Sequence, residues 1–236
     1  MVYENHEPWL WFILLSRTCH PHSVPYRKED QMKYYAVKKG RKPGIYNSCE
    51  ECEKQIKHFS GAKFKKFDTY DEAYSFIHGV KKTEDWNLSN SISDDPSLPT
   101  CAAYIDGSYS QVLQQYSFGC VLLENDQIID ELYGRACEED SVEMRNVAGE
   151  LLGAVTAVQY AINNGFKILL IHYDYEGIER WAKKEWRTNK KATAAYQEFM
   201  CQAMEKIQIH FIKVKAHSGV AYNERADALA KKALGI

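Results

Sequence analysis

Four acidic residues occupy positions from which a chain can bring carboxylates together. Asp106 directly follows the apolar pair Tyr104-Ile105, and Asp174 directly follows the apolar stretch Ile168–Tyr173. Glu150 falls in the first turn of a long helical pattern, and Asp227 in the first turn of the last one. Strand ends and helix starts at one edge of a sheet are where sites form. Four carboxylates at one point repel one another unless cations lie between them, and hard oxygen ligands favour magnesium or manganese. Such a site suits two-metal phosphodiester hydrolysis, with one ion activating water and the other stabilising a leaving 3′ oxygen. The chain carries 32 acids, most of which must be ordinary surface groups, so the reading requires a fold that gathers these four.

The elements around them supply such a fold. Strands are expected near Ala102–Ile105, Ser117–Leu123 and Ile128–Tyr133, followed by a helix from Val147 to Asn163 that Asn164-Gly165 would stop. Lys167 to Tyr173 is a continuous apolar run, fit for a strand buried on both faces. Helices near Glu176–Ala182 and Ala192–Lys206, a strand from Ile207 to Val214 and a helix from Glu224 to Leu234 complete residues 101–236. The expected class is α/β, a five-stranded mixed sheet with three antiparallel strands, two parallel ones and helices against it.

Ahead of this lies a second, smaller α/β unit, residues 32–79. It reads strand (Tyr34–Val37), basic turn (Lys38–Gly44), strand, helix, strand (Lys63–Phe67), helix. Ser48 and Thr69 are placed to cap the two helices, and the second carries Ala73, Phe76 and Ile77 on its apolar face. Residues 80–100 read as a linker, with Asn, Ser, Asp and Pro dominating from Asn87 to Pro99. Residues 1–31 are expected to be a dispensable or disordered tail, with Met32 as the natural start. Cys19-His20-Pro21-His22 within it lacks the second pair of ligands that a zinc site needs, as does Cys49-Glu-Glu-Cys52.

Composition narrows the classes further. Hydrophobic residues make up 45% and charged residues 26% of the chain, ordinary for a soluble globular protein. The longest apolar run, Trp9 to Leu15, is too short to span a membrane, so no membrane partner and a cytoplasmic location are expected. The net charge of −2 hides an asymmetry: residues 33–82 hold twelve basic and six acidic side chains. A basic block of that size fits a polyanion. A second basic segment, Trp181 to Lys191, reads either as a solvated helix end or as a protrusion that grips nucleic acid.

Four stretches of the larger unit resemble type 1 ribonuclease H. They are Tyr-Ile-Asp106-Gly-Ser, Asn146-Val-Ala-Gly-Glu150-Leu, His-Tyr-Asp174, and Val-Lys-Ala-His217-Ser-Gly-Val-Ala-Tyr-Asn223-Glu-Arg-Ala-Asp227. The resemblance implies two-metal cleavage of the RNA strand of an RNA–DNA hybrid, giving 5′-phosphate and 3′-hydroxyl ends. Asp106, Glu150, Asp174 and Asp227 would be the metal ligands, with Mg2+ as cofactor and Mn2+ possible. His217 would aid proton transfer or product release, Asn146 would lie against the RNA minor groove, and Asn223 beside the metal site.

Residues 33–78 resemble the small caulimovirus-type hybrid-binding domain found ahead of many such enzymes, through Tyr34-Tyr35-Ala36-Val37-Lys38-Lys39-Gly40-Arg41 and Ala62-Lys63-Phe64-Lys65-Lys66-Phe67. That likeness implies that Tyr35, Phe64, Lys65 and Lys66 face the DNA strand and that the turn Lys39–Gly44 meets RNA 2′-hydroxyls. Cys49 stands where the family usually has a stacking tryptophan. The segment after Asp106 lacks the family's Gly/Asn-Pro-Gly turn. The partner is then an RNA–DNA hybrid, with no protein partner and a monomer expected. The runner-up is a catalytically weak hybrid- or duplex-RNA-binding protein on the same fold.

Overall fold

The computed structural model describes residues 33–79, 98–214 and 221–236. The tail 1–31, residues 80–97 of the linker and His217 lie outside them. In the small unit, β1 (Tyr34–Lys39) pairs antiparallel with both β2 (Gly44–Tyr46) and β3 (Lys63–Phe67), in the order β2-β1-β3. The Ser48 hydroxyl accepts the Glu51 N–H (3.1 Å) to start α1 (Cys49–Ile56), and Thr69 accepts the Glu72 N–H (3.3 Å) to start α2 (Tyr70–His78). Each cap is worth about 1 kcal/mol. The α2 side of the sheet fully buries only Tyr34, Ala36 and Ala73, edged by Phe67, Tyr70 and Phe76, a small core for a unit standing alone. Cys49 is exposed, Cys52 is buried, and both are free thiols.

The larger unit is a meander of β4 (Thr100–Ser110), β5 (Gln115–Glu124) and β6 (Gln127–Ala136), then the short α3 (Glu139–Val142) and the long α4 (Asn146–Asn163). There follow β7 (Ile168–Tyr173), α5 (Gly177–Ala182), α6 (Lys191–Met204), β8 (Gln208–Lys213) and α7 (Ala221–Leu234). The strand order is β6-β5-β4-β7-β8, antiparallel up to β4 and parallel beyond it, the mixed sheet expected. β7 is buried along its whole length, as its run of four aliphatic residues favours, and takes His172 into the core with it. Helices α4, α5 and α6 cover the face bearing Ala103, Ile105, Leu169 and Ile171. Helix α7 covers the opposite face, with Tyr104, Val121, Leu170 and Ile212. Among the described residues, no helix is long and apolar enough to cross a membrane.

Three boundaries differ from expectation, and each moves a candidate residue. β4 continues past Asp106 to Ser110, so Asp106 lies inside a strand, opposite Gly119. The extension is carried by backbone pairing of Gly107-Ser108-Tyr109-Ser110, which offers no apolar alternation to read. α4 begins at Asn146, so Glu150 sits in its second turn. α7 begins at Ala221, which puts Asn223 inside the helix as a buried residue and Asp227 in the second turn.

Candidate active site

Two glycines bring the acid-bearing helices onto the strands. A Cβ at Gly149 would stand 1.9 Å from the Ser117 carbonyl oxygen, and one at Gly119 would stand 2.0 Å from that of Ala226. Helices α4 and α7 therefore touch the backbone of β5 from opposite faces of the sheet. Gly149 precedes Glu150, Ala226 precedes Asp227, and Gly119 is the cross-strand partner of Asp106. Backbone contact thus delivers two helical carboxylates to a third on the sheet. Gly149→Ala should force α4 off the sheet at a cost of about 1–3 kcal/mol, a fall in Tm of roughly 2–12 °C, with reduced activity. An unchanged Tm in calorimetry would show that the helix does not press on Ser117.

Glu150 is only 3% exposed and its Oε2 has no hydrogen-bond partner. Burial, and then the carboxylates of Asp174 and Asp106, push it up to about 9, against a backbone hydrogen bond from Tyr175 that pulls the other way. Three of the four acids are thus within electrostatic reach of one another. Asp106 accepts the Gly107 N–H (2.7 Å). Asp227 is held by Lys231 one turn along α7 (2.6 Å). The hydrogen bond to Asp227 raises the Lys231 pKa, helped by the charges of Asp227, Asp106 and Glu224 and opposed by burial. Among the described residues no three His, Cys, Asp or Glu side chains close into a ready-made metal cage. Lys231 already neutralises one of these charges. Sequence reading passed over Lys231, although its i+4 spacing from Asp227 is a visible ion-pair signal.

An aromatic floor lies on the α7 face of the sheet, the side that bears Asp106 and Asp174. Tyr104 and His172 are register partners on β4 and β7, and their rings stack at 4.0 Å and 12°. Alternation along each strand puts Asp106, and Asp174 just past the end of β7, on the same side as this pair. His172 is fully buried with neither ring nitrogen hydrogen-bonded, and burial pushes it down to about 3, so it is neutral. The floor therefore adds no charge to the site.

Asn146 is exposed at the start of α4, next to Arg145, whose φ of +54° lies in the left-handed region. Asn223 is buried, with its Oδ1 unpartnered. Beside α5, an open cavity of about 320 Å³ is lined by Tyr175, Trp181, Arg187, Asn189 and Lys190 among others. Trp181 meets Trp186 edge-on at 5.6 Å. Three lysines of this basic segment are already paired: Lys183 with Glu179, Lys190 with Glu143 and Lys191 with Asp140.

In the small unit, register places Tyr35 opposite Lys66 and Val37 opposite Phe64, so Tyr35, Phe64 and Lys66 share a face. Lys65, opposite Ala36, leans to the other face, over the Phe67 ring (5.1 Å). The structure thus gathers three of these four residues on one face. β3 is an edge strand. Arg41, in the basic turn, is occupied by the Lys54 and Lys57 carbonyls at the end of α1 (3.0 and 2.6 Å).

Comparison with known proteins matches both units of the chain. Residues 33–77 match the model of the ribonuclease H1 N-terminal domain, and residues 99–235 match that of RNase H. The chain is 23% identical over 280 aligned positions to human ribonuclease H1, covering 94% of this chain and 97% of that protein. It is 39% identical over 69 residues to ribonuclease H of Saccharomyces cerevisiae, covering 29% of this chain but only 20% of that protein. Among solved structures it is similar to RNase H1 of Halobacterium salinarum NRC-1, with a TM-score of 0.47 and 25% identity over 58% of this chain and 98% of that one. A family match over more than half of the chain, spanning all four acids, makes this protein a member of the ribonuclease H family of hydrolases.

Proposed function

We propose that the protein hydrolyses the RNA strand of RNA–DNA hybrids endonucleolytically, leaving 5′-phosphate and 3′-hydroxyl ends. Glu150 carries the reading. A buried carboxyl with an unpartnered oxygen, lifted by two neighbouring acids, costs stability and returns none on its own. Asp106, Glu150, Asp174 and Asp227 fit a hard divalent cation, magnesium or manganese. Bound there, such ions would lower the pKa of the attacking water and neutralise charge on the departing 3′ oxygen.

The rest falls to the chain's own groups. Asn146, exposed at the start of α4, carries an amide that can both donate to and accept from a 2′-hydroxyl in the RNA minor groove. Asn223 flanks the site from within α7. His217, between β8 and α7, moves a proton at the leaving oxygen or assists product release. Trp181 and Arg187 offer the DNA strand stacking surface and charge. Reading one strand for its 2′-hydroxyls, and the other for stacking and phosphates where that hydroxyl is absent, defines a hybrid without reading bases.

Tyr35, Phe64, Lys65 and Lys66 form the hybrid contact of the small domain. Lys65→Ala with Lys66→Ala should reduce the slope of log affinity against log salt by up to about two. An unchanged slope would show that both lysines face solvent. A binding-only reading has one observation in its favour, the Lys231–Asp227 ion pair that occupies a prospective ligand. End chemistry separates the two. In magnesium, an end-labelled hybrid should yield RNA fragments whose 3′-hydroxyls a polymerase can extend. Binding without cleavage, or 2′,3′-cyclic phosphate ends, would overturn the proposal.

A further inference from the structure

The small domain is seated on the sheet face that α7 covers, and Tyr70 at the start of α2 makes the contact. Its ring lies 5.9 Å from that of Tyr222, and the Arg225 guanidinium lies 4.4 Å from its centroid. Arg225 is fixed from behind by a two-point pairing with Glu131 on β6, Nη2 to Oε2 at 3.0 Å and Nε to Oε1. Gln127 donates to the Asp68 carbonyl (3.2 Å) just ahead of α2. Tyr74, one turn along α2, has its hydroxyl pKa raised by burial and by the Glu224 carboxylate of α7. The Arg225 charge is already met by Glu131, so the surface it completes suits a neutral aromatic face.

The contact continues inward. Tyr222 lies 5.2 Å from Tyr104, and Tyr104 stacks on His172. Four rings therefore run from the small domain to the floor of the acid site. Tyr222 directly precedes Asn223, while Tyr104 and His172 stand two residues before Asp106 and Asp174.

We propose that α2, through Tyr70, is a docking surface that seats the hybrid-binding domain on the Tyr222–Arg225–Glu131 patch, so that both nucleic-acid faces act as one body. Seating the domain takes only a modest interface. A covalent tether gives effective concentrations on the millimolar scale, at which a contact with an intermolecular Kd of about 10 µM is occupied roughly 99% of the time. Tyrosine and arginine in a desolvated contact are the residues that usually supply such affinity. Docking itself is independent of the proposed substrate. Only its consequence for duplex binding rests on that reading.

The test uses the full chain, Tyr70→Ala, and the double variant Arg225→Leu with Glu131→Leu. The double variant replaces a packed ion pair by apolar groups and leaves the small domain untouched, so it answers even if Tyr70→Ala unfolds that domain through lost contact with Tyr34 (5.7 Å). In hydrogen exchange, amides of α2 and of β6 should lose protection by tenfold or more in the double variant, with α4 unchanged. Equal exchange in wild type and double variant would overturn docking, whatever the substrate. A Gly/Ser insertion that lengthens the segment between residues 79 and 98 fourfold supplies the second readout. A domain that is merely tethered loses about eightfold in hybrid affinity, from the −3/2 power of tether length. The wild type should change by less than about twofold and the double variant by about eightfold. An eightfold loss in the wild type would also overturn docking, whereas a failure of every variant to bind hybrid would overturn the substrate reading and leave the exchange result standing.

Discussion

Asp174→Asn should cut hybrid cleavage by roughly 100-fold or more while leaving hybrid affinity within a few fold. Asp174 sits just beyond the buried strand β7, and its charge is one of the two that lift Glu150. Asparagine keeps the shape and removes the charge. With Asp174 neutral, Glu150 ionises more easily and the acids repel less, so the Tm of the metal-free variant should hold or rise. Activity then falls while stability holds or rises, a combination that misfolding cannot produce. More than about a tenth of wild-type activity would contradict an essential role for this carboxylate.

Glu150→Gln should flatten the pH dependence of stability in the metal-free protein. The Glu150 carboxyl is raised from 4.5 to about 9 in the folded chain. Below pH 4.5 both states hold the proton and the fold bears no penalty. Between 4.5 and 9 the unfolded chain releases the proton while the folded one retains it, so stability falls as pH rises. The loss approaches about 1.4 kcal/mol per pH unit, several kcal/mol at most over the window. Glutamine resembles the protonated acid and has no such slope. Urea unfolding at pH 5, 7 and 9 should therefore show the variant gaining on the wild type as pH rises, and magnesium should remove most of the difference. Parallel curves for the two proteins would mean that Glu150 is hydrated and free of its neighbours.

Much of this site can be read along the chain because its parts are local. Asp174 follows a strand that must be buried, since it opens with four aliphatic residues in succession, and the mixed sheet follows from the order of periods. The four acids could be chosen from 32 because the expected elements put each at a boundary, although the structure moves Asp106 inside β4 and Glu150 and Asp227 into second helical turns. What escapes a linear reading is set by contacts between distant backbones. The extension of β4 past Asp106 depends on pairing with β5 rather than on apolar alternation. The approach of α4 and α7 at Gly149 and Gly119 depends on the absence of a side chain, which looks the same in sequence whether a glycine packs or turns. The Tyr104–His172 stack and the Tyr70 contact join residues more than 60 positions apart, and no spacing rule reaches that far. Lys231 is the exception, being legible four residues after Asp227.

The proposed role of these carboxylates is the cleavage of one strand of one kind of duplex. It is tested most directly by presenting the full chain, in magnesium, with RNA–DNA, RNA–RNA and DNA–DNA duplexes of a single sequence, each strand labelled in turn. The RNA strand of the hybrid should be cut at internal positions, its DNA strand should remain intact, and the two homoduplexes should be cut at least about 100-fold more slowly. Comparable cutting of either homoduplex, or a hybrid that is bound and left whole, would contradict the account.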